Sequence, residues 1–258
     1  MLETTEVRSQ FRTMVLSERV MPLLNFALTP VVSPLKQLQN CAKNSALLKL
    51  ATTFLIATAA VSASANGLDS LENFLKTSKT GRADFTQTVT SPAREGQAPT
   101  VKNSTGTFEF ARPNRFKFIY KKPFEQTLVA DGQTLWMYDV DLNQVTSNKQ
   151  ANVLANTPAA IIASSGDLKA LEQNFSLKAA PDADGNSWVV ATPKTKDGTL
   201  QSIRVGFKTS GGELTTLDIL DTFGQRSVLK FQKVEANPAL AGDAFNFKPP
   251  AGADVIKQ

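Results

Sequence analysis

The sequence predicts a single α+β domain in which about ten or eleven antiparallel strands form a sheet and a few short helices lie against it. Three observations support this fold class. From residue 83 onward, short segments alternate apolar and polar residues, pairs of turn-forming residues separate them at hairpin spacing, and helical periodicity is confined to the front and the middle. No internal repeat or low-complexity linker divides residues 66–258. We therefore treat that range as one domain.

The predicted domain begins with a helix and continues as a meander of strands. Apolar residues at helical spacing from Leu68 to Leu75 predict an amphipathic helix that ends near Lys79. The period then changes to two in the segments ADFTQTV, TGTFEFAR, NRFKFIY, EQTLVA and TLWMYD. The last two are joined through Asp131-Gly132, a pair suited to a tight hairpin because both residues can adopt positive φ. These strands are therefore predicted to be antiparallel neighbours.

Two short helices are predicted to interrupt the strands between Lys149 and Gln173. Their segments read NTPAAIIAS and GDLKALEQN, and the first opens with Thr157 as a cap and Pro158 at the first helical position. The strands then resume as FSLKA, NSWVVATP, LQSIRVGF, GELTTLDIL and SVLKFQKVE, and a final FNFK precedes two prolines. Glycine-containing turns between these segments predict hairpins throughout this half.

Residues 1–65 are predicted to be a leader that the mature protein lacks. The uncharged stretch at 50–61 is too short to span a bilayer, follows two lysines and precedes the small residues Ala63-Ser64-Ala65. This arrangement is typical of a secretory signal peptide, so we expect cleavage before Asn66. A buried helix of the folded domain is the alternative interpretation. The single cysteine, Cys41, lies upstream of the apolar stretch, so it cannot become an acylated first residue.

Composition disfavours several functional classes. The sequence has no histidine, which is the side chain used most often for acid-base catalysis near neutral pH and the commonest metal ligand. Six of the 28 basic residues and three of the 23 acidic residues precede Asn66, so the remainder carries a net charge of only +2. That charge gives no support to a nucleic-acid partner. No cofactor or metal is expected, and Met1, Met14 and Met21 are alternative start sites.

Aromatic side chains concentrate on one predicted face of the sheet. The period of two, applied strand by strand, predicts that this face carries Phe108, Phe110, Phe116, Phe118, Trp136 and Tyr138. Two interpretations stay open: the face is the packed core beneath the helices, or it lines a cavity under a helical lid. Three short helices cover a wide sheet only thinly. A broad apolar cavity suits acyl chains, since each buried methylene contributes about 0.8 kcal/mol.

Arg112 lies at the end of an aromatic stripe, where a guanidinium needs hydrogen-bond acceptors. In one interpretation it is a latch that donates to carbonyls at the ends of lid helices, which lack partners inside the helix. In the other it is a surface arginine whose stem covers apolar neighbours. Strand parity does not decide between them.

The ordered series of motifs resembles the LolA family of LolA/LolB half-barrel proteins. The segments that carry the resemblance are FTQ at 85–87, GTFEFARPNRFKF at 106–118, DGQTLWMYD at 131–139, LNQV at 142–145, NTPAAIIA at 156–163 and FNFKPPAG at 245–252. The most specific part is RPNRF followed by DGxxLWxYD and then TPAxIIA. This sequence departs by an insertion between Gln87 and Gly106, which leaves the length of that hairpin open. It also has Ser164 where a charged residue is common.

The resemblance implies an unclosed antiparallel half-barrel with a lid of short helices, and a periplasmic carrier with no catalytic site. Such a carrier receives triacylated lipoproteins from the inner-membrane ABC transporter LolCDE and delivers them to an outer-membrane acceptor, LolB; we expect it to be a monomer. By the same resemblance Arg112 is the lid latch, and Phe116 is the family's aromatic residue after Pro-Asn. The lid positions that Arg112 would bond are Leu75, Ile162, Ala163 and Ser164.

Two other functions compete with the carrier. A lipid-sensing regulatory or lipid-binding module of the envelope has the same half-barrel fold, but such regulators usually carry a second domain, and we expect none after this sheet. A hydrolase acting on lipid needs an activated nucleophile, and residues 66–258 contain no histidine, no cysteine and no GxSxG elbow. The sequence therefore favours the carrier.

Overall fold

Twelve strands form one sheet in the computed structural model, which describes residues 66–93, 98–151, 158–163, 167–195 and 198–258. The strands are β1 (Thr80–Ser91), β2 (Thr100–Ala111), β3 (Arg115–Lys122), β4 (Gln126–Ala130), β5 (Thr134–Asp139), β6 (Gln144–Lys149), β7 (Phe175–Ala183), β8 (Asn186–Pro193), β9 (Leu200–Lys208), β10 (Leu214–Asp221), β11 (Arg226–Ala236) and β12 (Asp254–Lys257). The helices are α1 (Gly67–Thr77), α2 (Pro158–Ala163) and α3 (Leu168–Asn174). The α+β prediction is confirmed.

The sheet is open, because β12 and β7 lie at its two ends in the order β12-β6-β5-β4-β3-β2-β1-β11-β10-β9-β8-β7. Neighbouring strands are antiparallel except β12, which pairs parallel to β6. Pairing of β1 with β11 joins the two halves of the chain. The three helices lie on one face, which we call the inner face. The unclosed half-barrel with short helices is therefore confirmed.

The insertion between Gln87 and Gly106 lengthens the first hairpin. Strands β1 and β2 each have 12 residues and pair along their whole length, from Thr80 with Ala111 to Ser91 with Thr100. The inserted residues therefore continue the ladder beyond the end of β3, whose Lys122 pairs with Thr105.

Helix α1 packs closely against β7, β8 and β9. The Asn66 side chain accepts hydrogen bonds from the backbone N–H groups of Leu68 at 2.8 Å and Asp69 at 3.2 Å, which caps the helix. A Cβ atom on Gly67 would lie 2.1 Å from the Trp188 carbonyl oxygen, so only glycine allows this approach to β8. One turn later, the Ser70 and Ser187 hydroxyl oxygens lie 3.0 Å apart in a buried hydrogen bond. None of the described helices is long and apolar enough to cross a membrane.

The assignment of Trp136 and Tyr138 to the phenylalanine face is wrong. Trp136 pairs with Val129, which pairs with Lys117, and directly paired residues of antiparallel strands project to the same face. Lys117 lies on the outer face, opposite the phenylalanines of β3. Both rings instead approach Phe247, with centroid distances of 5.6 Å from Trp136 and 6.3 Å from Tyr138. Parity relates residues of one strand, whereas only the register relates different strands.

The prediction that FNFK at 245–248 is a strand is also wrong. This segment crosses the outer face without pairing in the sheet, and the last strand is β12. Phe245 packs with Ala111 and Val129, and Phe247 joins the same small cluster. The following Pro249 and Pro250 lack the N–H donors that a ladder requires. The two phenyl rings therefore alternate with the strand period but contribute packing instead of strand pairing.

Candidate functional site

Four phenylalanines form two laterally paired rows on the inner face. Phe110 pairs with Phe116, and Phe108 pairs with Phe118, so the register joins the stripes that parity predicted within each strand. The four side chains are between 1% and 7% exposed. Ring centroids of Phe108 and Phe118 are 4.4 Å apart, and Phe85 of β1 meets Phe118 edge-on at 5.5 Å. The rows are thus part of a continuous aromatic surface that solvent does not reach in this closed form.

The helices that cover these rows pack against both halves of the sheet. Helix α2 lies against β2 and β3, and its Ile161 and Ile162 are each 1% exposed. Helix α1 lies against β7, β8 and β9. Phe74 of α1 connects the two halves, because its ring centroid is 5.8 Å from Phe110 and 5.6 Å from Phe207. The cover over the phenylalanine rows therefore consists mainly of one six-residue helix and one projecting ring.

Arg112 is half-buried at the end of these rows and holds the C-terminal end of α1. Its Nε donates to the Ser78 carbonyl oxygen at 2.7 Å, and Ser78 is the C-cap of α1. The guanidinium carbon also lies 4.9 Å from the Phe74 ring centroid and 5.2 Å from that of Phe110. Burial lowers the pKa of Arg112 to about 10, so the side chain stays charged at neutral pH. Arg112 therefore connects the turn after β2 to the C-terminal end of α1.

Asn114, two residues further on, holds the C-terminal end of α2. Its backbone N–H donates to the Ala163 carbonyl oxygen at 2.6 Å. The residue adopts φ of 57°, a left-handed conformation that asparagine tolerates better than most residues. The turn between β2 and β3 therefore contacts the last turn of both covering helices, through a side chain at Arg112 and through the backbone at Asn114. We call residues 112–114 the clamp turn.

The Gln150 side chain holds the clamp turn in place through hydrogen bonds. Its Nε2 donates to the Asn114 carbonyl oxygen at 2.6 Å, and its Oε1 accepts from the Gly132 N–H at 2.9 Å. The side chain is only 3% exposed, which is unusual for glutamine. Sequence reasoning missed Ser78, Asn114 and Gln150. Asn114 had a signal in the Pro-Asn turn, whereas a lone glutamine after a strand gives none.

The predicted lid positions divide into three described residues and one that is not. Leu75, Ile162 and Ala163 are at most 1% exposed and belong to the same apolar core as the phenylalanine rows. Ser164 lies outside the described residues, as does Thr157, the predicted cap of α2. The structure thus brings Arg112, the phenylalanine rows and the described lid positions together at one end of the inner face.

Within the described part of the chain, no group of three or more His, Cys, Asp or Glu residues is placed to hold a metal.

Comparison with known proteins agrees with this architecture. The family model "Outer membrane lipoprotein carrier protein LolA" matches residues 76–248. The chain belongs to the LolA family. The match begins within α1 and continues past Phe247, so this LolA-family chain contains the clamp turn, the phenylalanine rows and α2 inside the matched range.

Relatives within the LolA family are similar over most of their length. An outer-membrane lipoprotein carrier protein from Albidiferax ferrireducens is 64% identical over 213 residues, which are 82% of this chain and 100% of that protein. The protein of the same description from Methylibium petroleiphilum is 50% identical over 200 residues, 78% of this chain and 94% of that protein. A solved structure of a LolA superfamily protein from Nitrosomonas europaea aligns with 70% of this chain and 96% of that chain, at 9% identity and a TM-score of 0.40.

Proposed function

We propose that this protein is a lipoprotein carrier that holds acyl chains against the phenylalanine rows of the inner face. The observation that carries the proposal is the clamp turn, which closes two short helices over a wide aromatic surface through few polar contacts. An ordinary core has no need of a charged side chain at its margin, since burying a guanidinium is unfavourable unless it is bonded. A cover that must open reversibly does need contacts that break one at a time. The description of the relatives as lipoprotein carriers supports this interpretation.

The free energies of these contacts are compatible with cargo opening the helical cover. A hydrogen bond from a charged donor contributes about 1.5 to 3 kcal/mol, and burial of one methylene contributes about 0.8 kcal/mol. A few methylenes of one acyl chain therefore offset the bond from Arg112 to Ser78. Release is the reverse process, in which the empty protein regains the clamp contacts and the buried packing of Ile161 and Ile162. The clamp turn would thus lower affinity enough for the cargo to be handed on.

We further propose the cellular setting that the family implies. Residues 1–65 would be removed at export, and residues 66–258 would act in the periplasm as a monomer. Triacylated lipoproteins would come from the LolCDE transporter and pass to the outer-membrane acceptor LolB. The role requires no chemical step, so we propose that the protein is not an enzyme.

Native purification from periplasm tests the carrier function directly. Mass spectrometry should detect triacylated polypeptides that co-purify with the protein, and a synthetic triacylated peptide should displace an apolar fluorophore bound to the empty form. The same peptide without acyl chains is the control and should displace nothing. A protein that binds neither native lipoprotein nor the triacylated peptide would rule out the carrier function.

A further inference from the structure

Beyond the aromatic rows, the inner face continues as an open trough with a different lining. The trough encloses about 340 Å³, which falls in the range of roughly 300 to 1,000 Å³ typical of ligand pockets. Gln87 follows Phe85 by two residues in β1, Ser104 precedes Phe108 by four in β2, and Gln126 precedes Leu128 by two in β4. The strand period therefore places all three side chains on the inner face. They line the trough together with Tyr120, the charged side chains of Lys102 and Asp139, and the apolar side chains of Val89, Pro123 and Phe124.

The chemistry of the inner face changes in steps along the strands. Phenylalanine rows lie nearest Arg112, and Tyr120 forms the boundary, with its ring 5.1 Å from Phe85 and 6.4 Å from Phe118. Past this ring come hydrogen-bonding groups, since Gln87 pairs with Ser104, and Gln126 pairs with Tyr120 on one side and with Asp139 on the other. The inner face is therefore aromatic nearest the clamp turn, amphipathic at Tyr120, and lined further out by a mixture of polar, charged and apolar side chains.

The long first hairpin extends this mixed part of the inner face. Strand β3 ends at Lys122 opposite Thr105, whereas β2 continues back to Thr100 and stays paired with β1. Five residues at about 3.3 Å each lengthen this wall of the trough by roughly 17 Å. This added wall is the insertion that distinguishes the sequence from the pattern of its family.

We propose that the trough binds the junction of the cargo, meaning the glyceryl esters, the acylated amide and the first peptide units of a lipoprotein. The inference rests on the proposed carrier function and assigns a separate site for the part of the cargo that is not acyl chain. Ester and amide carbonyls accept hydrogen bonds and peptide N–H groups donate them, and glutamine amides do both. A longer stretch of acyl chain fits less well, because methylenes would cover the side chains of Ser104 and Gln126 and offer them no hydrogen bond.

Site-specific quenching locates the junction. The sequence has one cysteine, Cys41, and it lies upstream of Asn66, so a cysteine introduced in the mature chain can be labelled alone. Ser104→Cys places a bimane label in the trough, and the matched control Thr105→Cys places it on the opposite face of the same strand. The probe is a ten-residue tripalmitoylated cysteine peptide that carries tryptophan at position 3 or at position 10.

We expect the position-3 tryptophan to quench the label at 104 and the position-10 tryptophan to quench it less, with neither quenching the label at 105. A probe that displaces the apolar fluorophore but quenches 104 no more than 105 would overturn the trough assignment and leave the carrier function intact. A probe that displaces nothing would overturn both.

A second variant separates recognition of the junction from recognition of the acyl chains. Gln126→Leu should weaken binding of the tripalmitoylated peptide by roughly 3- to 10-fold, as expected for the loss of one or two hydrogen bonds, and leave binding of palmitate unchanged. Thr127→Leu, on the opposite face of β4, is the matched control and should change neither. Thermal melting of each variant checks folding. Equal losses for peptide and palmitate would place Gln126 in the acyl-chain cavity and overturn the proposal.

Discussion

At the scale of single residues, Arg112 is where the sheet and its cover are most sensitive to change. Burial lowers its pKa to about 10, which means that the folded protein holds this charge at a cost. The bond to Ser78 and the two flanking rings offset that cost only while α1 and Phe74 stay in place. The charge is therefore best accommodated in the closed form and less so in any form in which the helix end has moved.

The first prediction is that Arg112→Leu impairs delivery of cargo more than loading. Without the latch, the closed empty form loses stabilisation, so cargo retention should rise by about tenfold once the relieved burial of the charge is allowed for. An in vitro relay that measures acceptance and transfer separately tests this. Arg115→Leu is the matched control, because Arg115 belongs to the same hairpin but contacts Phe245 on the outer face. Wild-type rates in both steps would remove the latch hypothesis.

The second prediction concerns Phe118, where one substitution distinguishes the wall of a cavity from an ordinary packed core. Phe118→Glu should abolish binding of triacylated peptide and leave the protein folded, because an opening cover admits water to the new carboxylate. In a permanently dry core the same change would leave an unpaired buried charge and unfold a domain with only about 5 to 15 kcal/mol of stability.

Circular dichroism and thermal melting report folding of the Phe118 variant, and fluorophore displacement reports binding. Phe223→Glu, at a ring that is 64% exposed, is the control for adding a carboxylate. An unfolded Phe118 variant would identify the rows as plain core, and a folded variant that still binds would move the cargo elsewhere.

At the scale of elements, the clamp turn and Gln150 form one hydrogen-bonded unit. Gln150 immediately follows β6 and bonds to the turn after β2 and to the turn after β4, so one buried side chain joins three strand ends. Because Asn114 in turn bonds to Ala163, displacement of Gln150 would reach α2 without touching it.

The third prediction is that Gln150→Leu loosens α2 selectively. The variant leaves the Gly132 N–H and the Asn114 carbonyl without their side-chain partner, which should destabilise the region by about 1 to 3 kcal/mol. Amide hydrogen exchange should accelerate at 112–114 and 158–163, and the strands β8 to β10 should keep their protection. Gln133→Leu, at an exposed side chain of the neighbouring turn, is the control. Uniform acceleration across the sheet would contradict the assignment of Gln150 to the clamp.

The outer face has its own polar element, a carboxylate held by two cations. Burial raises the pKa of Glu109, but hydrogen bonds from Lys117 and Arg82, each 2.8 Å long, outweigh burial and bring the pKa below its ordinary value of 4.5. Lys117 also donates to the Ala244 carbonyl oxygen, so the group fastens the C-terminal segment to the sheet. A lowered folded-state pKa stabilises the fold above pH 4.5, and this stabilisation is lost as the pH falls through the lowered value.

The fourth prediction follows from this pH dependence of stability. Glu109→Gln should lower the free energy of unfolding by about 1 kcal/mol at pH 7, and the difference from wild type should shrink below about pH 4. Urea unfolding at several pH values measures it. Glu235→Gln, a more exposed carboxylate 3.6 Å from Arg82, should have a smaller effect and serves as the control. A difference that stays constant down to pH 3 would show that the charge of Glu109 is not responsible.

At the scale of the whole molecule, the sheet is open at β7 and β12, and its two halves are joined along β1 and β11. Helix α1 is anchored to β8 by Gly67 and Ser70, whereas α2 lies over β2 and β3. The helices can therefore part without breaking the ladder between the halves. This arrangement is compatible with the proposed opening of the inner face.

The fifth prediction is that the mature protein begins at Asn66. The Asn66 side chain caps α1, so a chain that begins at this residue keeps the cap of that helix. Edman degradation or intact-mass analysis of the exported protein checks the terminus. A periplasmic form that retains residues 42–65 would contradict both the leader and the export of a free carrier.

The period of two and the turn residues predicted most strands correctly, because alternation is a local property of a chain with one buried face. They failed for FNFK, whose rings pack on the outer face from an irregular backbone, and for the faces of Trp136 and Tyr138. They also missed Gln150, whose two hydrogen bonds join residues 18 and 36 positions away.

The sequence by itself determined the α+β class, the position of the helices, the phenylalanine stripes within each strand and the family. Each of these depends on residue type and spacing over a short window. Only the tertiary structure decided which stripes share a face, that Arg112 bonds to Ser78, and that Asn114 and Gln150 complete the clamp. Such contacts depend on strand register and on chain segments that are distant in sequence. The same local alternation of apolar and polar residues is compatible with more than one register, so the pattern alone does not fix these contacts.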